Sequence, residues 1–447
     1  MKMKWKKVLV PVLGAALLLP GMASNALAAE QGSPTETTGV ELRATLDSLL
    51  SEHYALAVDS MMKIYDEDEA AEAAIAALDA NAADMEPVIA SVYGEEGGAA
   101  FVEIFDKHNT GTDDYAEAVR DGDDAMKEEA LDEIQSFVDD MGAFLGTATE
   151  GNLPEDGATA ALREHEDFVQ NTFDLYVEGD YVDAYTSYLD GFQQIFGAGS
   201  AISGAISTQF PEQFSDPNTP AGDFRSTVNR IAAEHFALAQ LSMTKGYTGS
   251  DDFDFADWAQ DQNTEEFRAA LATVYGEEAS NQFVQLWNNQ HISVQGDLVI
   301  AVAADNKEAA EEATNTLTTT FATDLGTFLN TATEDRMPLD ETIAGVKAHE
   351  TSVIDTFQQY VSGDYETSYE TYRAGYAIMF DIGKGLSGAI VDQFPEKFEN
   401  TAPEKMPATG LGGMADQSNT LFLWITLSLM VLLAAGTITY RQTKNQQ

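Results

Sequence analysis

His165-Glu166-Asp167-Phe168-Val169-Gln170-Asn171-Thr172-Phe173-Asp174-Leu175-Tyr176-Val177-Glu178-Gly179-Asp180-Tyr181 decides the fold of this chain, because it carries a helical stripe and is written twice. Counted from His165, Phe168, Val169, Thr172, Phe173 and Tyr176 return at steps of three and four, the period of one helix face. Gly179 stands where such a helix would stop. The same words come back as His349-Glu350, Thr356-Phe357, Tyr360-Val361 and Gly363-Asp364-Tyr365.

Working outward, the rest of the middle is duplicated too. Val92-Tyr93-Gly94-Glu95-Glu96 recurs as Val274-Tyr275-Gly276-Glu277-Glu278, and Gln209-Phe210-Pro211-Glu212 as Gln393-Phe394-Pro395-Glu396. The offset drifts only from 182 to 184 residues, which predicts two copies differing by small loop insertions. The first copy spans about 40–210 and the second about 224–394, with Pro-, Ser- and Gly-containing linkers before, between and after them. Proline is scarce inside each copy and alanine and glutamate abound. Further stripes run through Leu49, His53, Ala57, Met61 and Ile64, through Phe101, Ile104, Phe105 and His108, and through Ile134, Phe137, Met141 and Leu145. Asp123 is placed to cap the helix that follows it. The expected fold is all-α: two tandem homologous bundles of four or five main helices each.

Composition bounds the chemistry. The chain of 447 residues has no cysteine, so disulfides and thiolate metal sites are excluded. Its 75 acidic and 23 basic residues give a formal net charge of −52, which argues against nucleic acid and anionic membranes as partners. No Glu-x-x-His pair, zinc-protease helix, nucleophile elbow or phosphate loop is present. The acidic runs lack the spacing of a calcium loop.

The six histidines are the sharpest functional feature. His53, His108 and His165 lie in the first copy, and His235, His291 and His349 stand at matching places in the second. His291 is displaced by one residue relative to His108, as a loop difference would produce. Each histidine falls on the apolar stripe of its helix, so three imidazoles per copy face inward from three helices, an arrangement that suits zinc or copper(II). Glu52, Glu166, Glu234 and Glu350 are neighbours able to complete or orient such a site. Met61 and Met243, eight residues after His53 and His235, are further candidate ligands for copper. Two other readings use the same residues: an adhesin or display protein with structural histidines, and a metal-dependent extracellular enzyme.

The two ends read as addresses. Basic residues from Lys2 to Lys7, an apolar stretch from Val8 to Leu19 and Ala26-Leu27-Ala28 describe a secretory signal peptide over 1–28. After a short stalk at 395–405 comes Met406-Pro407-Ala408-Thr409-Gly410, a polar spacer, an uncharged segment at about 420–440 and the basic residues Arg441 and Lys444. The arrangement over 406–447 resembles the L-P-x-T-G sorting signal of sortase-anchored wall proteins of Gram-positive bacteria, with Met406 at the leucine position. That resemblance implies cleavage by sortase between Thr409 and Gly410, covalent attachment of Thr409 to peptidoglycan, and a membrane span that serves only before anchoring.

Overall fold

A computed structural model of the chain describes residues 32–399. The expected signal peptide at 1–28, the part of the expected stalk beyond 399 and the expected sorting signal at 406–447 lie outside those residues. Among the described residues there is no strand, and no helix is long and apolar enough to cross a membrane.

The first copy comprises α1 (Thr38–Tyr65), α2 (Ala71–Asp121), α3 (Asp124–Ala148), α4 (Glu155–Glu178) and α5 (Tyr181–Gln209). Asp123 does cap α3, accepting from the backbone N–H groups of Ala125 and Met126, and Gly179 ends α4 in the left-handed region. Within α2 the chain breaks at Gly94, whose φ of 79° and ψ of 171° are open essentially to glycine alone. This explains why Val-Tyr-Gly-Glu-Glu is repeated: Gly276 makes the same break at φ 83°, ψ 171°.

The second copy follows the same path with α6 (Pro220–Thr248), α7 (Phe253–Tyr275), α8 (Glu277–Trp287), α9 (Ser293–Ala303), α10 (Lys307–Asn315), α11 (Ala322–Ala332), α12 (Leu339–Ser362) and α13 (Tyr365–Gln393). Its extra residues do not sit in loops, as the drifting offset suggested. The helix continues from α8 to α9 through a π turn at Asn288–Ile292, and from α10 to α11 through another at Thr316–Phe321. A π turn is what a helix forms when one residue is added without changing the register of the residues beyond it. The offset between copies steps from 182 at His53/His235 to 183 at His108/His291 and 184 at Phe137/Phe321. Each step falls at one of the two π turns.

The two copies pack into one body rather than standing as separate bundles. α1 and α6 are buried on nearly every face because each meets its own bundle on one side and the other copy on the other. One apolar cluster runs through both, including Tyr54, Phe192 and Phe196 of the first and Phe236, Tyr376 and Phe380 of the second. The contacts are reciprocal. Arg43 bonds Asp223 at 2.5 Å, and Arg225 bonds Glu41 at 2.9 Å; adding 182 turns Arg43 into Arg225 and Glu41 into Asp223. Phe196 and Phe380, equivalent at an offset of 184, stack on one another with planes 4° apart. Such i-to-j and j-to-i pairing marks an internal pseudo-twofold, the arrangement of an isologous dimer joined in one chain.

Candidate metal centre

The stripes that bury each helix bring the histidines together. In the first copy His53 comes from α1, His108 from the second half of α2 and His165 from α4. His53 Nε2 lies 3.1 Å from His108 Nε2, and the His165 ring centroid is 6.2 and 6.1 Å from theirs. In the second copy His235 Nε2 and His291 Nε2 are 3.0 Å apart, with His349 at 5.8 and 5.9 Å, centroid to centroid. Each triad offers one nitrogen per ring within 4.8 Å of the others, so two buried histidine triads could hold a metal ion. Two nitrogens 3.0–3.1 Å apart, each bonded at about 2.0–2.1 Å, would subtend roughly 95–100° at a shared ion.

All six rings are 95 % or more buried. Burial drives His53, His108, His165, His235 and His349 toward the neutral form that binds metal. The pKa of His53 is pushed down to about 3 by desolvation and then by His165, and those of His165 and His349 to about 4, chiefly by desolvation. His108 and His235 lie well below the ordinary value, through desolvation first and then their partner histidines. At neutral pH each of these rings is uncharged and keeps one nitrogen lone pair.

Glu166 and Glu350 sit behind the rings. His108 Nδ1 is 3.3 Å from Glu166 Oε1 and His291 Nδ1 3.0 Å from Glu350 Oε1, without the alignment of a formed hydrogen bond. A carboxylate at the far nitrogen is how metal-bound imidazoles are usually oriented and made more basic. The site also concentrates buried polar atoms lacking a partner: Nδ1 of all six histidines and both carboxylate oxygens of Glu166 and Glu350. Leaving such atoms unpaired costs about 1–3 kcal/mol each. A cation held by one nitrogen from each ring would favour the Nδ1–H tautomer of His108 and His291, whose Nδ1 atoms lie 3.3 and 3.0 Å from Glu166 and Glu350. Burial pushes the Glu166 carboxyl up to about 8, and the neighbouring Asp167 adds to the shift.

An aromatic floor completes each site. Phe137 stacks on His108 at 4.2 Å and 14°, and Phe321 on His291 at 4.6 Å and 10°. Each π turn of the second copy thus places one member of this stacked pair. Phe137 is visible in the sequence only as part of a stripe; the offset of 184 that links it to Phe321 was the available clue to a shared role.

Four of the candidate ligands lie elsewhere. Glu52 turns away from His53 to accept from Asn81 Nδ2 at 2.7 Å and to meet Arg373 of the second copy at 3.2 Å. Glu234 likewise accepts from Asn263 at 2.8 Å and pairs with Arg230 at 3.2 Å. Adjacent residues of a helix point about 100° apart, which puts these carboxylates on neighbouring helices. Met61 and Met243 belong to the shared apolar cluster. Eight residues of helix carry them about 12 Å along the axis, out of reach of the ion.

No protein-family model, curated protein or solved structure matches this chain.

Proposed function

We propose that the protein is a metal binder of the cell surface, each repeat holding one divalent transition-metal ion, zinc or copper(II), through three histidines. The observation that carries this reading is convergence reached twice by different routes. Spacings that differ between the copies deliver the same three imidazoles to the same arrangement, with two Nε2 atoms 3.1 Å apart in one and 3.0 Å in the other. Core histidines that served only packing would have no need of that register. The burial of the rings favours holding an ion over acting on a substrate, since an open coordination position in contact with solvent is what a catalytic site requires. Sequestration or buffering of metal outside the cell is the role such sites fit. The signal peptide and the Met406–Gly410 motif support secretion followed by covalent attachment to the wall through Thr409.

Elemental analysis of the secreted chain, after exposure to zinc or copper and exhaustive dialysis, tests the central part. About two equivalents are expected, one in His53→Ala or His235→Ala and none in the double variant. No retained metal in the unaltered chain would leave the histidines as core residues. Thr409→Ala should move the protein from the wall fraction to the membrane; an unchanged distribution would contradict the anchoring.

A further inference from the structure

The two triads differ in what lies beside them. Gln295 is 97 % buried, one turn after His291, with its Nε2 3.5 Å from His291 Nε2. Its Oε1 accepts from Gln260 Nε2 at 3.3 Å. In the first copy the same places hold Thr112 (295 minus 183), which spends its hydroxyl on the His108 carbonyl at 2.9 Å, and Leu78 (260 minus 182). A buried amide pair in the second copy therefore stands where the first has a threonine and a leucine.

Two nitrogens share one side of His291. A neutral imidazole has one N–H and one lone pair. With its proton on Nδ1, which lies 3.0 Å from Glu350 Oε1 without forming a hydrogen bond, His291 has a single lone pair at Nε2. Two nitrogens face it: His235 Nε2 at 3.0 Å and the Gln295 amide nitrogen at 3.5 Å. Once an ion takes the lone pairs of both histidines, an N–H of Gln295 pointing at it becomes repulsive. A half-turn of the amide, whose two ends have nearly the same shape, brings the carbonyl oxygen there instead. Gln260 can turn with it and accept from the freed amide N–H.

We infer that Gln295 is a fourth ligand of the second site, its amide oxygen joining His235, His291 and His349 around a divalent transition-metal ion. The first site offers three imidazoles and no such oxygen. The inference rests on the metal reading of the triads and adds a difference between them: the second site holds the ion more tightly.

Competition of the full chain with a zinc chelator tests this, with zinc alone as the probe. The unaltered chain should give up two equivalents at different chelator concentrations. Gln295→Met, similar in shape but without the oxygen, should weaken the tighter equivalent about tenfold and leave the other unchanged. Gln295→Glu should tighten it, because a carboxylate is a better ligand for a dication than an amide. Equal affinity in Gln295→Met, or weaker binding in Gln295→Glu than in the unaltered chain, would overturn the assignment. Should the methionine variant fail to fold, by its circular dichroism melt, the glutamate variant decides alone. An unaltered chain that takes up no zinc would overturn the triads as metal sites, and this assignment with them.

Discussion

The first repeat reaches its histidine triad with uninterrupted α-helix from Glu95 to His108, and the second needs a π turn at Asn288–Ile292 to do the same. Gly94 and His108 are 14 residues apart, Gly276 and His291 15. On an ordinary helix that extra residue would swing His291 by about 100°, into a neighbouring helix instead of the site. The second repeat has instead distorted its backbone and kept the imidazole, and it has done so again at Phe321, the ring beneath it. What is held constant between the copies is the register of the site; the regularity of the helix gave way. Around that constant part the polar surroundings have diverged, with Gln260 and Gln295 in one copy and Leu78 and Thr112 in the other.

The contrast between the repeats breaks first if register is unimportant. Deleting Lys107, exposed on α2, removes one residue from a helix with no π turn to absorb the change. The expected outcome is loss of one metal equivalent and of about 3–5 kcal/mol of stability, read by elemental analysis and chemical denaturation. Deleting the exposed Asn289 should do far less. It returns the second repeat to the spacing of the first, and the chain should keep both equivalents with an ordinary helix in place of the π turn. Equal damage from both deletions would mean that the π turn does not serve to keep register.

The carboxylates behind the rings come next. Glu166→Gln and Glu350→Gln should each weaken the ion of their own repeat roughly 10- to 100-fold and leave the other repeat untouched, as competition with a chelator would report. Glu350 lies closer to its ring, at 3.0 Å against 3.3 Å, so its substitution should have the larger effect.

A third difference concerns pH. Asp47 is fully buried between the copies, its Oδ2 taking a bond from Ser226 at 2.7 Å; its equivalent (47 plus 182) is Asn229. Desolvation, the largest cause, pushes the Asp47 carboxyl up to about 7, against the pull of Arg43, Ser226 and Arg225. With a folded pKa above the unfolded one, the folded state holds more protons between about pH 4 and 7, so stability falls as pH rises through that window. Asp47→Asn, the choice already present in the second repeat, should gain roughly 1–2 kcal/mol at pH 8 and nothing near pH 4. Thermal melts at the two pH values read the difference, and an equal gain at both would contradict desolvation of the carboxylate as the cause. The smallest effect is expected at Met61 and Met243: leucine at either place should cost under about 1.5 kcal/mol and change neither the number nor the affinity of bound ions.

Much of this was legible in the sequence, for identifiable reasons. Helices announce themselves through the three-and-four spacing of residues such as Phe168, Val169, Thr172 and Phe173, and the duplication through words such as Gly-Asp-Tyr. The inward placement of the six histidines followed from the same stripes. Glu52 and Glu234 could not be sorted from Glu166 and Glu350, because all four adjoin a histidine and only the packing of neighbouring helices says which way each points. The π turns were hidden because an inserted residue looks the same on paper in a loop and in a helix. Packing of the repeats on each other was hidden as well: the all-round burial of Tyr54, Ala55, Leu56, Ala57 and Val58 needs two partners, and a single stripe names only one. Gln295 gives no signal in the sequence, because an amide has no place among the usual metal-ligand spacings.

Diffraction from crystals of the zinc-loaded chain, collected on both sides of the zinc absorption edge, tests the binding of one ion per repeat most directly. Two anomalous peaks are expected, one bounded by Nε2 of His53 and His108 with the His165 ring, the other by their counterparts His235, His291 and His349. Absence of both peaks, or ions bound only at surface carboxylates, would contradict it.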